Sequence, residues 1–390
     1  MGRLTRKMKN VGIICEYNPL HGGHKYMFSR LREMGAERII CLMSGNAVQR
    51  GDFAIMPKQL RSGSAVAAGA DVAFELPFPY SMGSAEFFAS AGVDILARLG
   101  VDTIAFGSES GDINVLRELA ERAEDFKPSE DKSIGTATDY FSSLGDLKSN
   151  DILGIEYLKA GKKFAPDMNF VTIKREGAGY HEDAQNGAYP SATEIRRAIL
   201  EENFEAYSEE QLPEDSKCAI REALEEGQIT QMKKVESAIL FFWRTADIKS
   251  VSACAECGGG VAERLAAAAK CAGTLDEMLG FAATKRYTDA RLRRAVIFGM
   301  MGVTLDDLRR RAPYVNFLCA TFDGLKFLSE ARNINVISKP SRIPEDAESK
   351  RQADLCMKFD ALYTLAMNYP VDVGFFHRQS PHVIKIDNKF

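Results

Sequence analysis

Short apolar runs alternate with helical patterns through the first half of the chain, and this alternation constrains the fold more than any other feature. The apolar runs, which are rich in β-branched residues, predict buried strands at 11–17, 38–45, 71–77, 102–109 and 169–175. Helical patterns lie between them at 24–34, 58–69 and 84–98. Strands joined by helices of this length form right-handed βαβ crossovers, so the sequence predicts an α/β fold with a Rossmann-like parallel sheet.

The carboxyl edge of that sheet is where we expect a functional site, because ligands of open α/β sheets bind there. The segments 18–24, 44–51 and 107–109 each follow or close a predicted strand. All three should therefore meet at this edge.

The character of the chain changes after about residue 203. From there to about residue 310 the pattern is helical, a further helix is predicted at 347–368, and 333–338 is predicted to be a short strand or an extended segment. A length of 390 residues suits two domains. We therefore predict an α/β domain over residues 1–203 and a mostly α-helical domain over residues 204–390.

Composition narrows the class of protein. The net charge of −4 means that any contact with nucleic acid must come from a local basic patch. The chain has no run of about 18 apolar residues, and its basic start does not resemble a signal peptide, so we expect a cytoplasmic protein without a membrane segment. Cys254 and Cys257 form a lone CxxC without the second pair that a structural zinc site needs, so we expect no metal ligands in the chain itself.

A glycine-rich turn with two histidines follows the first predicted strand, and a predicted helix follows the turn. Its residues are His21, Gly22, Gly23 and His24. A helix N-terminus binds phosphate, glycines allow close approach, and two histidines on one turn can both donate hydrogen bonds to the same anion. The turn is therefore predicted to stabilise charge on a nucleotide's phosphates during in-line attack. The alternative is a pair of turn histidines without a role.

A second segment, at 189–196, has the pattern of a capped helix start. Ser191 or Thr193 can cap the helix, with Glu194 nearby, and Arg196 would project from the first turn. The alternative is an ordinary capped helix with a surface arginine.

The two segments together resemble the two signatures of the nucleotidylyltransferase superfamily, HxGH and ISSTxIR. Within it, the chain resembles the bacterial tRNA(Met) cytidine acetate ligases. The matching stretches are VGIICEYNPLHGGH (11–24), MSGNAVQRGD (43–52), DVAFELPF (71–78), FGSE (106–109), NDILGIEYLKA (150–160), YPSATEIR (189–196) and TKRYTDARLRR (284–294).

This resemblance implies a function. Members activate acetate with ATP, giving acetyl-adenylate and pyrophosphate, and the exocyclic amine of the wobble cytidine of elongator methionine tRNA then takes the acetyl group. The expected ligands are ATP with Mg²⁺ on its triphosphate, acetate and tRNA. The α/β part, residues 1–203, would be the nucleotidyltransferase domain that binds ATP, and residues 204–390 the part that binds tRNA.

The resemblance, together with the two signatures, assigns roles to individual residues. His21 and His24 are the expected catalytic residues. The expected ATP-binding residues are Val11, Gly12, Glu16, Tyr17, Asn18, Pro19, His21, Gly23, His24, Gly107, Asn150, Arg175, Ser191, Thr193 and Arg196. The chain departs from the family in a shortened region at 127–150 and in Asp151, where the family usually has asparagine.

Polar and basic residues cluster after the second predicted strand. Lys58 and Arg61 are three residues apart and share one helix face. We interpret the cluster as a wall that faces acetate or phosphate, and the alternative for the two cations is a solvated helix face. The wall residues are Ser44, Gly45, Gln49, Lys58 and Arg61.

A basic segment at 285–311 stands out in an acidic chain. Such a patch can bind the RNA backbone, and an aromatic residue among its cations could stack on a base. The expected contacts with tRNA are Lys285, Arg286, Tyr287, Arg291 and Arg294. The alternative is again a solvated helix face.

Two other functions fit the same residues. One is a small-molecule adenylyltransferase or acyl-adenylate ligase that acts on a coenzyme or carrier, since the HxGH chemistry is the same. The other is a non-catalytic RNA-binding protein on a nucleotidyltransferase fold. The sequence indicates no oligomeric state.

Overall fold

The computed structural model describes residues 8–124, 147–175, 189–330 and 333–385. Its strands are β1 Asn10–Cys15, β2 Arg38–Ser44, β3 Ala47–Val48, β4 Asp52–Phe53, β5 Val72–Leu76, β6 Thr103–Ser108, β7 Asn169–Lys174, β8 Tyr314–Thr321, β9 Asn335–Ile337 and β10 His382–Ile384. The first half has the helices α1 Gly22–Glu33, α2 Lys58–Ala67, α3 Ala85–Leu99, α4 Ile113–Glu124, α5 Ser149–Phe164 and α6 Ala192–Leu200.

Helices dominate the second half of the chain. They are α7 Glu214–Glu225, α8 Glu236–Thr245, α9 Ile248–Val251, α10 Val261–Cys271, α11 Leu275–Ala282, α12 Asp289–Met301, α13 Leu305–Arg309, α14 Phe322–Ser329, α15 Ala347–Leu365 and α16 Phe375–Arg378. Short 3-10 helices lie at Tyr80–Met82, Phe204–Ala206, Met232–Val235 and Pro340–Arg342. Among the described residues, no helix is both long enough and apolar enough to span a lipid bilayer.

The main sheet has the strand order β10-β8-β5-β2-β1-β6-β7, with β9 paired to β8. The five strands predicted from the sequence are confirmed, and they are parallel to one another. The chain runs outward from β1 to β2 and β5, then returns to place β6 on the other side of β1. This reversal opens a crevice between the carboxyl ends of β1 and β6, where ligands of such sheets bind.

Helices cover both faces of the sheet. Apolar residues of α1 and α2 pack on one face, and those of α3, α4 and α5 pack on the other. Two glycines permit the close approach. A Cβ on Gly92 of α3 would lie 2.5 Å from Ile14, and one on Gly154 of α5 would lie 2.6 Å from the ring of Phe106.

The second half of the chain also contributes to this sheet, which the sequence analysis did not predict. Strand β8 is antiparallel to β5, and β9 and β10 are parallel to β8, so the sheet is mixed. Of these strands, only the segment around β9 was predicted. The boundary between residues 203 and 204 stays a prediction, but it does not separate the sheet from all that follows.

Most of the helices from α8 onward build a separate apolar core around Trp243, Phe298 and Phe359, whereas α7 packs with α6. The hairpin of β3 and β4 packs into this core through Ala47 and Phe53. The segment after β2 therefore lies between the sheet and the helices, so a ligand at the edge of the sheet is within reach of both.

Candidate functional site

The two histidines of the turn after β1 cap the start of helix α1 through a reciprocal pair of hydrogen bonds. His21 is the N-cap residue, and its Nδ1 accepts a hydrogen bond of 3.2 Å from the backbone N–H of Gly23. Nδ1 of His24 accepts one of 3.1 Å from the backbone N–H of His21. Because each Nδ1 is an acceptor, each neutral ring carries its proton on Nε2. The fold thus presets two Nε2–H donors at one helix N-terminus.

Both imidazoles are neutral at physiological pH. Burial, reinforced by the positive charge of Arg175, lowers the pKa of His21 to about 3. Burial also lowers the pKa of His24, with smaller contributions from His21 and Arg175. The ring centroids of the two histidines are only 3.8 Å apart, so one charged ring would repel a second. The site therefore offers uncharged hydrogen-bond donors beside the cation Arg175, which suits a phosphate ester.

Gly22 and Gly23 are both closely packed against the protein, and room for an anion beside them stays a prediction. A Cβ on Gly22 would lie 1.6 Å from the carbonyl oxygen of Glu210, and the N–H of Gly22 donates to the carbonyl of Gln211 at 2.9 Å. A Cβ on Gly23 would lie 3.1 Å from the ring of His21. Gly22 therefore allows the segment before α7 to contact the turn, and Gly23 leaves room for the imidazole.

The two signature segments of the sequence meet in the structure. Nη1 of Arg196 donates to the carbonyl oxygen of Asn18 at 2.9 Å, and Nη2 donates to Oγ1 of Thr193 at 3.0 Å. Oδ1 of Asn18 accepts a hydrogen bond of 2.7 Å from the backbone N–H of Ile55. Arg196 is thus not an ordinary surface arginine, because it contacts the backbone beside the histidine turn.

Ser191 caps helix α6. The sequence had predicted either Ser191 or Thr193 as the cap. Its hydroxyl accepts from the N–H of Glu194 at 3.2 Å, and the carboxylate of Glu194 accepts from the N–H of Ser191 at 2.7 Å. These hydrogen bonds lower the pKa of Glu194. The reciprocal cap fixes the first turn of the helix and with it the position of Arg196.

Tyr17 packs between the turn and helix α1. Its backbone is in the left-handed region, with φ of 44°, which is uncommon for a residue with a side chain. Its ring lies 4.7 Å from the ring of His24 and 5.9 Å from the ring of Phe28, measured between centroids. Tyr17 is 3% exposed, so its ring supports the histidine rather than offering a free surface.

Gly107 and Arg175 are brought together at the ends of β6 and β7. A Cβ on Gly107 would lie 3.3 Å from Cγ of Arg175, so the arginine side chain crosses over the glycine. The backbone N–H of Arg175 donates to the carbonyl of Ser108 at 3.0 Å. The charge of Arg175 acts on both histidines. The family's two predicted ATP contacts on these strands therefore lie beside the turn.

Asn150 and Asp151 hold the loop that follows β6. Nδ2 of Asn150 donates to Oε1 of Glu109 at 2.6 Å. Oδ1 of Asp151 accepts from the N–H groups of Glu109 and Ser110 and from the hydroxyl of Ser110, at 3.1 to 3.2 Å. Asp151, the departure from the family pattern, thus has a structural role. Glu109 lies in the segment 107–109 that was predicted to reach the edge of the sheet, but no role was predicted for this residue.

Glu16 is a carboxylate directly after β1. Its Oε1 accepts from the N–H of Gln49 at 2.7 Å, which ties the hairpin segment to the histidine turn. Burial raises the pKa of Glu16, while the cations Arg196, Arg61 and Arg50 act in the opposite direction. Glu16 and Gln49 thus lie on the same wall of the crevice.

Arg61 is fully buried, which excludes the alternative of a solvated helix face. Its guanidinium donates to the carbonyls of Met56 at 3.0 Å, Glu16 at 2.5 Å and Ser44 at 3.1 Å, and also to that of Gly45. The carbonyls of Glu16, Ser44 and Gly45 lie at or just beyond the ends of β1 and β2, and that of Met56 lies just before α2. Arg61 therefore clamps the backbone of the crevice wall from inside the protein.

Lys58 is also buried and is paired with carboxylates. Its Nζ lies 2.7 Å from Oε1 of Glu75 and 3.8 Å from Oδ2 of Asp360. Burial opposes the charged ammonium, but the two carboxylates together raise the pKa of Lys58. The described contacts of both predicted wall cations are thus with the protein, and contact with acetate or phosphate stays a prediction.

Some cations of the basic segment form ion pairs within the protein, and others are exposed and could contact a ligand. Arg294 is 7% exposed and lies 3.0 Å from Glu256, and Arg291 lies 3.3 Å from the same carboxylate. Tyr287 is 8% exposed and its hydroxyl donates to the carbonyl of Gly259, so its ring is not free to stack.

Lys285 and Arg286 are exposed. The segment also adjoins the crevice, because a Cβ on Gly51 of the hairpin would lie 2.6 Å from the backbone of α12. A ligand of this segment would therefore come close to the hairpin wall.

Comparison with known proteins finds relatives that match nearly the whole chain. The family model of the HIGH nucleotidyl transferases matches residues 8–373. The tRNA(Met) cytidine acetate ligase of Acetivibrio thermocellus is 31% identical over 93% of this chain and 96% of its own length. The protein of the same name from Listeria monocytogenes is 32% identical over 95% of this chain and 98% of its own.

The fold of a solved relative is also similar. Thermotoga maritima TmcAL bound with alpha-thio ATP aligns with a TM-score of 0.85 at 27% identity, covering 97% of this chain and 100% of that one. Its apo form aligns with a TM-score of 0.86 at 28% identity and with the same coverage.

Proposed function

The chain belongs to the HIGH nucleotidyl transferase family and, within it, to the tRNA(Met) cytidine acetate ligases, and from this premise we propose that it is an ATP-dependent ligase that acetylates a cytidine of tRNA. The observation that carries the proposal is the pair of neutral histidines capping α1, with Arg175 beside them and Arg196 on the adjoining backbone. A tRNA substrate would be met in the cytoplasm, the location predicted from the sequence.

The proposed reaction has two steps. A carboxylate oxygen of acetate attacks the α-phosphorus of ATP, the bond to the β-phosphate oxygen breaks, and pyrophosphate leaves. The amine of cytidine then attacks the acetyl carbon, AMP leaves and the amine loses a proton. The first step requires stabilisation of charge on the α-phosphate and on the leaving pyrophosphate.

The chain's own groups fit the first step. His21 and His24 would donate from Nε2 to phosphate oxygens, because each Nδ1 is already an acceptor of a backbone N–H. Arg175 would neutralise phosphate charge, and the helix N-terminus adds positive partial charge. Arg196 positions the backbone of Asn18 and would reach the nucleotide from the other side. Glu16, Gly107 and Asn150 lie on the elements that bound the crevice.

Mg²⁺ would reach this site on the triphosphate. Within the described ranges, no group of three or more histidine, cysteine or acidic side chains could hold a metal ion. Phosphate oxygens are the ligands that Mg²⁺ usually takes together with few protein groups. The ion would supply charge neutralisation on the leaving pyrophosphate.

Acetate would bind against the segment after β2. Ser44, Gly45 and Gln49 form the edge of the crevice, and we propose that Lys58 and Arg61 hold this edge from behind. The charge of Arg61 then acts on acetate at a distance, without a direct hydrogen bond, whereas the charge of Lys58 is offset by Glu75 and Asp360.

We propose that tRNA binds to the helical part beyond residue 203. Lys285 and Arg286 are exposed and would contact its phosphates. Tyr287, Arg291 and Arg294 would support that surface, since they pack against one another and against Glu256.

The test is ATP–pyrophosphate exchange by the purified protein, with and without acetate and with and without tRNA. Exchange that depends on acetate supports acetyl-adenylate formation. Transfer of labelled acetate to tRNA, located by nucleoside analysis, then identifies the acceptor. Exchange with another carboxylic acid but not with acetate would contradict the proposal and favour an acyl-adenylate ligase for a coenzyme or carrier.

A further inference from the structure

An exposed aromatic residue lies beside a groove in the helical part of the protein. Phe281, near the end of α11, is 55% exposed. The groove between α10 and α11 has a volume of about 630 Å³, and Ala267, Ala268 and Phe281 give it apolar walls. Its rim carries Arg264 and Glu263, both exposed. A flat aromatic ring beside an open apolar groove is the geometry on which a nucleobase stacks.

Exposed cations lie on and near this groove. Arg264 lies on the rim itself, and Lys285 and Arg286 follow shortly after α11. Within the described part of the chain, none of the three cations has an ion-pair partner, unlike Arg291, which contacts Glu256. Arg264 on the rim and Arg286 beside Gly259 set two such cations against Glu263, and this excess of positive charge complements the phosphates of RNA.

The groove is continuous with the segment predicted to bind tRNA. Gly260 lines the groove and begins the turn into α10. The hydroxyl of Tyr287 donates to the carbonyl of Gly259, and the guanidinium of Arg286 lies 3.9 Å from where a Cβ on Gly259 would be. Arg286 therefore stands next to the mouth of the groove.

The same surface leads toward the crevice. Helix α12 lies within this basic segment and starts shortly after Arg286, and its backbone contacts Gly51 of the hairpin. The hairpin in turn contacts Glu16 through Gln49. An RNA seated on the groove would thus run along elements that contact the wall of the ATP site.

We propose that this groove binds an unstacked base of the tRNA, with Phe281 stacking on the base and with Arg264 and Arg286 contacting the flanking phosphates. The proposal rests on the proposed function, because it takes tRNA as the ligand. It replaces Tyr287 by Phe281 as the stacking residue. Arg264 and Arg286, which have no ion-pair partner among the described residues, favour RNA over an apolar protein segment.

The first experiment measures binding of elongator methionine tRNA at low salt by the full chain and by Phe281→Ala. Loss of one base–aromatic stack should raise Kd by about 5- to 150-fold. The matched control is Phe322→Ala, because Phe322 is 54% exposed and also lies near a lysine, with Nζ of Lys385 5.7 Å from its ring centroid. The control should leave Kd unchanged.

A second variant, Phe281→Trp, reports the contact directly. The native chain has a single tryptophan, Trp243, which is fully buried, so the new tryptophan would supply the accessible fluorescence. Stacking on a base should quench that fluorescence when tRNA is added. Quenching that a mononucleotide mixture reproduces at equal base concentration would overturn a tRNA-specific site.

The cations are tested by the salt dependence of binding. Arg264→Gln and Arg286→Gln should each reduce the slope of log K against log salt by about 0.7 to 0.9, the value for one lost phosphate contact. No tRNA binding by the unchanged protein at low salt would overturn the proposed function and this site with it. Binding that is the same in Phe281→Ala and in both glutamine variants would overturn the site alone.

Discussion

Replacing Lys58 by methionine should destabilise the protein by several kcal/mol, because the change leaves two buried carboxylates without their cation. The side chains of Lys58, Glu75 and Asp360 are 9%, 4% and 7% exposed. They join three elements, since Lys58 begins α2, Glu75 lies in β5 and Asp360 lies in α15. Methionine keeps the length and most of the volume of the lysine, so the charge is the main change.

The magnitude follows from the burial. Removing one partner of a buried ion pair costs about 3–5 kcal/mol, mostly because the other charge stays buried and unpaired. Two amides offset part of this cost: Nδ2 of Asn316 donates to Glu75 at 2.7 Å, and Nδ2 of Asn46 donates to Asp360 at 2.8 Å. We therefore expect a loss near the lower end, about 3 kcal/mol.

The assay is urea unfolding at pH 7 followed by circular dichroism. Lys326→Met is the control, because Lys326 and Asp323 form an ion pair with side chains 70% and 75% exposed, and such pairs contribute about 0–1 kcal/mol. Adding Glu75→Gln and Asp360→Asn to the Lys58 variant should recover most of the lost stability, since these three positions then carry no charge.

The loss should also depend on pH. Burial already raises the pKa of Asp360 in the folded protein, and removing the ammonium raises it further. The folded variant then binds a proton that the unfolded chain releases, so its free energy of unfolding falls as pH rises above about 4, the usual pKa of an unfolded aspartate. A Lys58→Met protein that unfolds within about 1 kcal/mol of wild type, and whose only defect is a higher KM for acetate, would refute this reasoning and show that Lys58 contacts the ligand.

Three further outcomes are expected at the site. The ring resonances of His21 and His24 should not titrate between pH 5 and 8 in the free protein, because burial lowers both pKa values; an NMR titration with a midpoint near 6.5 would contradict this. Gly22→Ala should cost about 1–3 kcal/mol of stability and reduce ATP–pyrophosphate exchange, because its Cβ would collide with the carbonyl of Glu210; unchanged exchange would mean that the contact does not position the turn. Asp151→Ala should raise the KM for ATP by loosening the loop after β6, whereas Asp151→Asn keeps an acceptor oxygen and should stay near wild type; steady-state kinetics of the two variants separate these cases.

Much of the fold could be predicted because the strands and helices of the first half follow from the local pattern of apolar residues. The five parallel strands of the main sheet lie in apolar runs. Helices α1, α2 and α3 between them show the apolar periodicity of a helix. Strand β8 is also an apolar run, but nothing in it shows that it pairs with β5, which is far away in sequence. Pairing between distant segments leaves no local signal, so only the folded chain shows that the sheet is mixed.

The sequence by itself determined the histidine turn, the capped helix of the second signature and the order in which strands alternate with helices, because caps and periodicity act over a few residues. Only the tertiary structure decided which charged side chains are available to a ligand. Arg61 and Arg294 look like surface cations in the sequence but are buried against carbonyls and a carboxylate, whereas Lys285 is exposed. A side chain's partners come from other elements, so its availability is a property of the packed molecule.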